Sequence, residues 1–512
     1  MRPISHFLFF LSLFFSLNNL FSSSNEHIEA KSKVDTINAN DLIDKIDKGH
    51  FYSTFSYISD NVNYFIRCNI INNHFVIGSF KIDIKNEKIF NSPIRFNNTV
   101  FNDNFLIDNC YINNYFLIDS CLFNKAFGIS NTNFKNICGI SNSKFLGDVN
   151  FNNVTFSEDM VLERDSLKNA TFFNKVVFNK RVGFQYSVFG ARSRFYFIEI
   201  NRSVRFDSTY FKEEAIFKTI YFKDYSIFDY ATFKNVSFQN TDFFGKLDFN
   251  YINIDNAFFG GVRFYNICYF RNNSMLKTLE LDDCIFDKTV DFKDTYFPDS
   301  IIINNIHFGR MLVNWNQLIN KIQPNMKDTL HFEDYSRIYI PFINNFKNIG
   351  QYEDEDDCYY KLKNIEKDFS LKSINSNPKT WFRPFFLILF KITCGYGVRP
   401  YNVLKCSIFI ILFFTFLYYP LGPILERKKD KYLDYTFNYD FRTKLQRFYD
   451  AFYFSVSKFT TVGYGDWYPS QEFFMICNFK IIRFRSIAIL EGFIGWFLMA
   501  LFIISLTIKY IR

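Results

Sequence analysis

The chain has almost none of the residue pairings that mark a soluble enzyme or a metal-binding module. Its ten cysteines include no CxxC pair, so no zinc site is signalled. Its six histidines include no HxxxH pair. No nucleophile, paired-acid or phosphate-loop signature occurs, which argues against an enzyme and against a resident cofactor. No apolar segment carries an array of spaced arginines, which excludes a voltage sensor of that kind. The net charge of +8 is spread along the sequence rather than gathered into a basic patch, and so does not single out nucleic acid.

What is abundant is aromatic. Phenylalanine occurs 72 times, and aromatic residues make up 21% of the chain. Asparagine is also frequent, and an AT-rich genome could inflate both, so order matters more than amount. From Phe90 to Phe233, large apolar residues recur at alternating steps of six and five, and every slot is Phe, Ile or Leu. Looser spacing continues the series through Phe238, Phe243, Phe249, Ile254, Phe259, Phe264 and Phe270. A period of eleven fits neither an amphipathic helix nor a simple strand, and is the mark of a solenoid in which like stacks on like. Five cysteines (Cys110, Cys121, Cys138, Cys268 and Cys284) share one recurring position where a small buried residue is expected.

This pattern resembles the pentapeptide-repeat family in a variant with alternating steps. The resemblance implies a right-handed quadrilateral β-helix, assigned to residues 61–308 after a lead-in at 25–60. Small residues two places before the large one fit the family at Cys110, Cys121, Ala215, Ser226 and Ala231; Val149, Val154, Val204 and Ile220 are bulkier. At ~22 residues per coil and ~4.8 Å between strands, the rod would be on the order of 50 Å long. Its charges are mixed, which disfavours an acidic DNA mimic.

Residues 309–380 leave the period and read as a helical connector. Glu353-Asp354-Glu355-Asp356-Asp357 suits a helix start, where acids meet the dipole; a divalent-cation sensor is the sharper alternative. Residues 381–512 read as a membrane domain. Two stretches, about 403–425 and 486–508, hold one charge each, Lys405 and Glu491, and are long enough to span a bilayer. Residues 381–394 are apolar but too short to span, and suit the membrane surface.

Between the spans lies Thr460-Thr461-Val462-Gly463-Tyr464-Gly465-Asp466. Successive backbone carbonyls can face one axis only in conformations that glycine tolerates, which explains Gly463 and Gly465. TVGYG is the potassium-channel filter motif. A second Gly-Tyr-Gly, at 395–397, lacks the flanking residues and reads as a turn. Residues 450–459, just ahead of the filter, are long enough for a pore helix whose negative end faces a cation.

This order of span, pore helix, filter and span resembles the two-transmembrane potassium-channel family, over about residues 400–512. The resemblance implies potassium held at Thr461, Val462, Gly463 and Tyr464, with Gly465 completing the filter and Thr460 and Asp466 flanking it. Four chains would close the ring, giving a homotetramer in a lipid bilayer, and Gly492 and Gly495 lie where inner helices often hinge. The alternative is a membrane-anchored β-helical binding or scaffold protein with a non-conducting pore.

Residues 1–24 resemble a signal peptide or an N-terminal anchor. Either puts the solenoid outside the cytoplasm and inverts the pore, and the basic residues between the spans, such as Arg427, Lys428, Lys429 and Lys431, agree. The usual orientation requires residues 1–24 to stay cytoplasmic.

Overall fold

The computed structural model describes residues 35–510, apart from 60–61, 325–330, 377–380, 420–423, 427–442, 463–466, 470–472 and 477–478. Residues 1–24, expected as a signal peptide or N-terminal anchor, and much of the loop between the spans therefore lie outside the described residues. The chain divides into two compact units, Met1–Leu330 and His331–Arg512.

The first unit is a parallel β-solenoid of about 11 turns over residues 70–324. Equivalent residues stack one coil apart. Ile107 pairs with Ile129, Ile129 with Phe151, Phe151 with Phe173, Phe173 with Phe195 and Phe195 with Phe217. The offset is twenty-two residues, two eleven-residue periods. Phe123 and Phe145 stack with centroids 4.8 Å apart and planes within 1°, and Phe195 and Phe217 stack at 4.8 Å and 8°. Rings from adjoining faces meet edge-on, as Phe195 and Phe206 do at 5.8 Å and 90°. Each aromatic pair of this kind adds about 0.5–1.5 kcal/mol beyond the area it buries. The five cysteines of the repeat are buried, as expected for small core residues.

The alternation of six and five has a backbone cause. Between Phe96 and Phe233, each shorter step closes through one residue in the left-handed region, two places after the large one. Asn98, Asn109, Ser120, Asn131, Asn142 and Asn153 take this role early in the rod, and Arg164, Lys175, Tyr186, Phe197, Ser208, Thr219 and Tyr230 take it later. Asparagine tolerates positive φ better than other side-chain-bearing residues, which gives part of the asparagine content a structural use. Thr219, β-branched and at φ 55°, is held there by its neighbours in the stack.

Both ends of the solenoid extend beyond the periodic sequence. Strand Asp35–Asn38 pairs with His74–Ile77, inside the segment that the period leaves as a lead-in. Helix α1 (Ala39–Asp47) follows, capped by the Asn38 side chain accepting from the Asn40 amide. It turns Ala39, Leu42 and Ile46 inward, at the spacing of one helical face. At the other end, strands continue past residue 308 to Pro324, correcting the boundary drawn where the period fades. Short helix α2 (Trp315–Leu318) buries Trp315 and Leu318 there. Such terminal elements cover apolar layers that would otherwise meet water.

One face of the rod buries polar groups. Gly183 leaves room for neighbouring side chains: a Cβ there would lie 2.4 Å from Gln185 Oε1 and 3.1 Å from Glu163 Oε1. With its amide nitrogen toward Glu163, Gln185 donates to Oε1 at 2.6 Å and accepts from Arg205 at 3.2 Å. Arg205 also pairs with Asp207 at 2.9 Å. Burial pushes the Glu163 carboxyl up to about 7; Arg205 opposes the shift and Asp207 adds to it. Because the folded value lies above the ordinary 4.5, Glu163 contributes stability that is fully present below 4.5 and is lost as pH rises through about 7. The contribution is at most on the order of 3 kcal/mol. Hydrogen exchange of strand Met160–Glu163, corrected for intrinsic rates, should lose protection as pH rises from about 5 to about 8. Glu163→Gln should flatten that dependence; an unchanged profile would show that Glu163 does not set it.

Candidate ion pore

The second unit is helical. Helices α3 (Phe332–Asn348) and α4 (Tyr352–Ser376) are followed by α5 (Phe382–Cys394), α6 (Pro400–Tyr418), α7 (Lys444–Phe459) and α8 (Phe484–Tyr510). Of these, α6 and α8 are long and apolar enough to cross a membrane. The expected first span, 403–425, is shorter as a helix, ending at Tyr418 just before Pro420, Gly422 and Pro423. Beyond it, strand Ile424–Glu426 pairs antiparallel with Trp467–Pro469, directly after the filter motif.

Helix α7, at the place expected for a pore helix over 450–459, is longer than that span. Thr443 caps it with Gln446 in a capping box, so α7 starts at Lys444. Its buried residues Ala451 and Phe454 pack with Phe414 and Tyr418 of α6 and with Ile487 and Ala488 of α8. A second cluster joins Phe459 to Val403 and Leu498. The opposite side of α8 leaves Ile489, Phe493, Trp496 and Ile503 each more than half exposed, a stripe suited to lipid or to neighbouring subunits.

At its C-terminal end, α7 comes against two glycines. A Cβ on Gly495 would lie 2.0 Å from the Phe459 carbonyl oxygen, and one on Gly492 would lie 3.3 Å from that of Lys458. Both glycines, singled out in sequence as hinge candidates, allow α8 to approach the last carbonyls of α7, and α8 runs on as one helix through them. The Thr460 and Thr461 amides donate to Val456 and Lys458 carbonyls, closing the helix. Thr461 then turns at φ +56°, a costly conformation for a β-branched residue, and Val462 is exposed. Gly463, Tyr464, Gly465 and Asp466 lie outside the described residues.

One acid lies inside this helical packing. Glu491 of α8 is fully buried; the Tyr418 hydroxyl donates to its Oε2 at 2.9 Å, and the Ser455 hydroxyl donates to its Oε1. Ser455 also lies 3.0 Å from the Ile411 carbonyl. Sequence showed Glu491 only as the sole charge of its span. Its partners are 73 and 36 residues away, on other helices.

The acidic run opens α4, where its last two members face cations. Asp356 pairs with Lys509 at the end of α8 at 3.9 Å, and Asp357 with Arg399 ahead of α6 at 3.3 Å. Arg399 also lies over the Tyr360 ring, 3.8 Å from its centre. Further along, Arg383 of α5 binds Glu366 of α4 at 2.7 Å. Among the described residues, no group of three or more His, Cys, Asp or Glu is placed to hold a metal. Gly395-Tyr396-Gly397 forms the turn between α5 and α6, with all three residues at positive φ.

Residues 406–512 match the family model described as Ion channel. No curated protein and no solved structure matches the chain. Residues 406–512 are thus similar to the ion-channel family, which together with the two apolar helices points to a lipid bilayer; the solenoid is consistent with the form that pentapeptide repeats make.

The two glycines should differ when enlarged. Gly495→Ala forces the α7 carbonyl end away and should cost about 1–3 kcal/mol, read as a lower thermal midpoint in detergent. Gly492→Ala, with its looser contact, should change the midpoint much less; equal effects would contradict the geometry.

Proposed function

We propose that the ion-channel domain at residues 406–512 forms, with three further copies, a potassium-selective pore in the cell membrane, and that the solenoid serves it as a sensor or assembly domain. The observation that carries the reading is the placement of Thr460-Thr461-Val462-Gly463-Tyr464-Gly465-Asp466. This sequence begins where α7 ends, between two apolar helices, with the negative end of α7 at its start. Thr461, Val462, Gly463 and Tyr464 would hold potassium through backbone carbonyls, and Thr461 adds a hydroxyl. Gly465 and Asp466 would follow at the mouth. One chain supplies one filter strand, and a ring of carbonyls needs four. The match to an ion-channel family points to transport rather than catalysis.

Reconstituted protein should carry potassium over sodium in a liposome flux assay, and Gly463→Ala should abolish the selectivity. Currents that do not distinguish the two ions would overturn the filter reading. Biological activity that survives loss of conduction would favour the anchored scaffold instead.

Helix α4 is placed to influence the pore, since its ion pairs reach Arg399 just ahead of α6 and the end of α8. The Asp357–Arg399 pair is about half exposed, and exposed pairs of this kind are worth about 0.2–1 kcal/mol. Asp357→Ala should therefore shift open probability only about two- to fivefold in single-channel recordings, and Lys509→Ala, which takes a cation from the buried Asp356, should shift it more. The double exchange Asp356→Lys with Lys509→Asp should return it toward the parent value.

A further inference from the structure

We infer that Glu491 is the positioning residue that fixes the register of the pore helix, and through it the filter; this rests on the potassium-pore reading above. An acid within a membrane helix is costly and is retained with partners or for function. Glu491 has no exposed surface, and both carboxylate oxygens accept hydroxyl hydrogen bonds, one from Tyr418 on α6 and one from Ser455 on α7. One side chain thus ties the three helices together. Apolar contacts such as Phe454 against Tyr418 favour close packing but tolerate sliding. Directional hydrogen bonds do not: moving α7 by one residue rotates Ser455 by about 100° and leaves a buried oxygen without its donor.

The position on α7 gives this constraint its consequence. Ser455 lies one helical turn before Phe459, whose carbonyl rests on Gly495 of the same helix that carries Glu491. Glu491 sets where α7 sits along α8, and Gly495 sets how close it comes. Together they fix the end from which Thr460 and Thr461 start the filter. The carbonyl ring of the filter requires that starting point to be the same in every subunit.

Substitution separates positioning from bulk. Glu491→Gln keeps both links: its carbonyl accepts from Tyr418, its amide donates to Ser455, and Ser455 turns its own proton to the Ile411 carbonyl. Glu491→Leu keeps volume and loses both. The readout is the potassium-to-sodium permeability ratio from reversal potentials of reconstituted full-length protein. The Gln variant should stay within about twofold of the parent, and the Leu variant should fall about tenfold or more. Ser455→Ala and Tyr418→Phe, which each delete one hydroxyl, should fall in between and carry the test if the Leu variant does not fold. An unchanged ratio in Leu, or in both hydroxyl variants, would overturn the inference. So would equal losses in Gln and Leu. A parent that does not select potassium would refute the pore reading itself, and the positioning role with it; a selective parent with unaffected variants refutes only the latter.

Discussion

The stacking of parallel strands, one coil above another, is the constraint on which the first unit depends. Once two strands pair in parallel, the side chain at each slot must share its layer with the same slot one coil away. A coil of twenty-two residues that repeats its large residues therefore produces continuous ladders of Phe, Ile and Leu. Rings within a few degrees of parallel, such as Phe123 and Phe145, follow from that register rather than from a separate preference. The same constraint explains the strained corners. Thr219 and Phe197 hold positive φ because the coils on either side already fix where the chain must turn. It also explains the ends, where α1 and the Trp315 helix supply the apolar cover that a further coil would otherwise give.

The second unit meets the opposite problem. In a membrane, apolar side chains specify little, because lipid is as apolar as they are. Specificity there comes from close backbone approach and from polar contacts. The α8 helix uses both within five residues: Gly495 admits the Phe459 carbonyl, and Glu491 takes hydroxyls from α6 and α7. At the ends of the spans, α4 pairs with Arg399 through the half-exposed Asp357, a weak contact, and with Lys509 through the buried Asp356.

The two units differ in how much their sequence disclosed. The solenoid was legible because its information is repeated in every coil, so that a bulky Val149 or Ile220 at a small position does not hide the period. Its corners were not legible, since the left-handed position holds Asn, Ser, Arg, Lys, Tyr, Phe or Thr and carries no single signature. Its ends were missed because α1 and the strands past residue 308 do not share the period. In the helical unit the apolar spans were visible from length and charge, but their limits shifted. The first apolar helix ends at Tyr418, and the Thr443 capping box starts α7 six residues before Asp450.

By itself, the sequence determined the solenoid, the two apolar helices and the filter motif between them, because each is encoded locally, by a period, a run or a short string. Only the tertiary structure decided that Asp356 and Asp357 of α4 face Lys509 and Arg399, that Gly492 and Gly495 receive the end of α7, and that Glu491 is shared by Tyr418 and Ser455. Those facts depend on groups far apart in the chain meeting at hydrogen-bond or van der Waals distance, and no local pattern records which distant residue will fill a given gap.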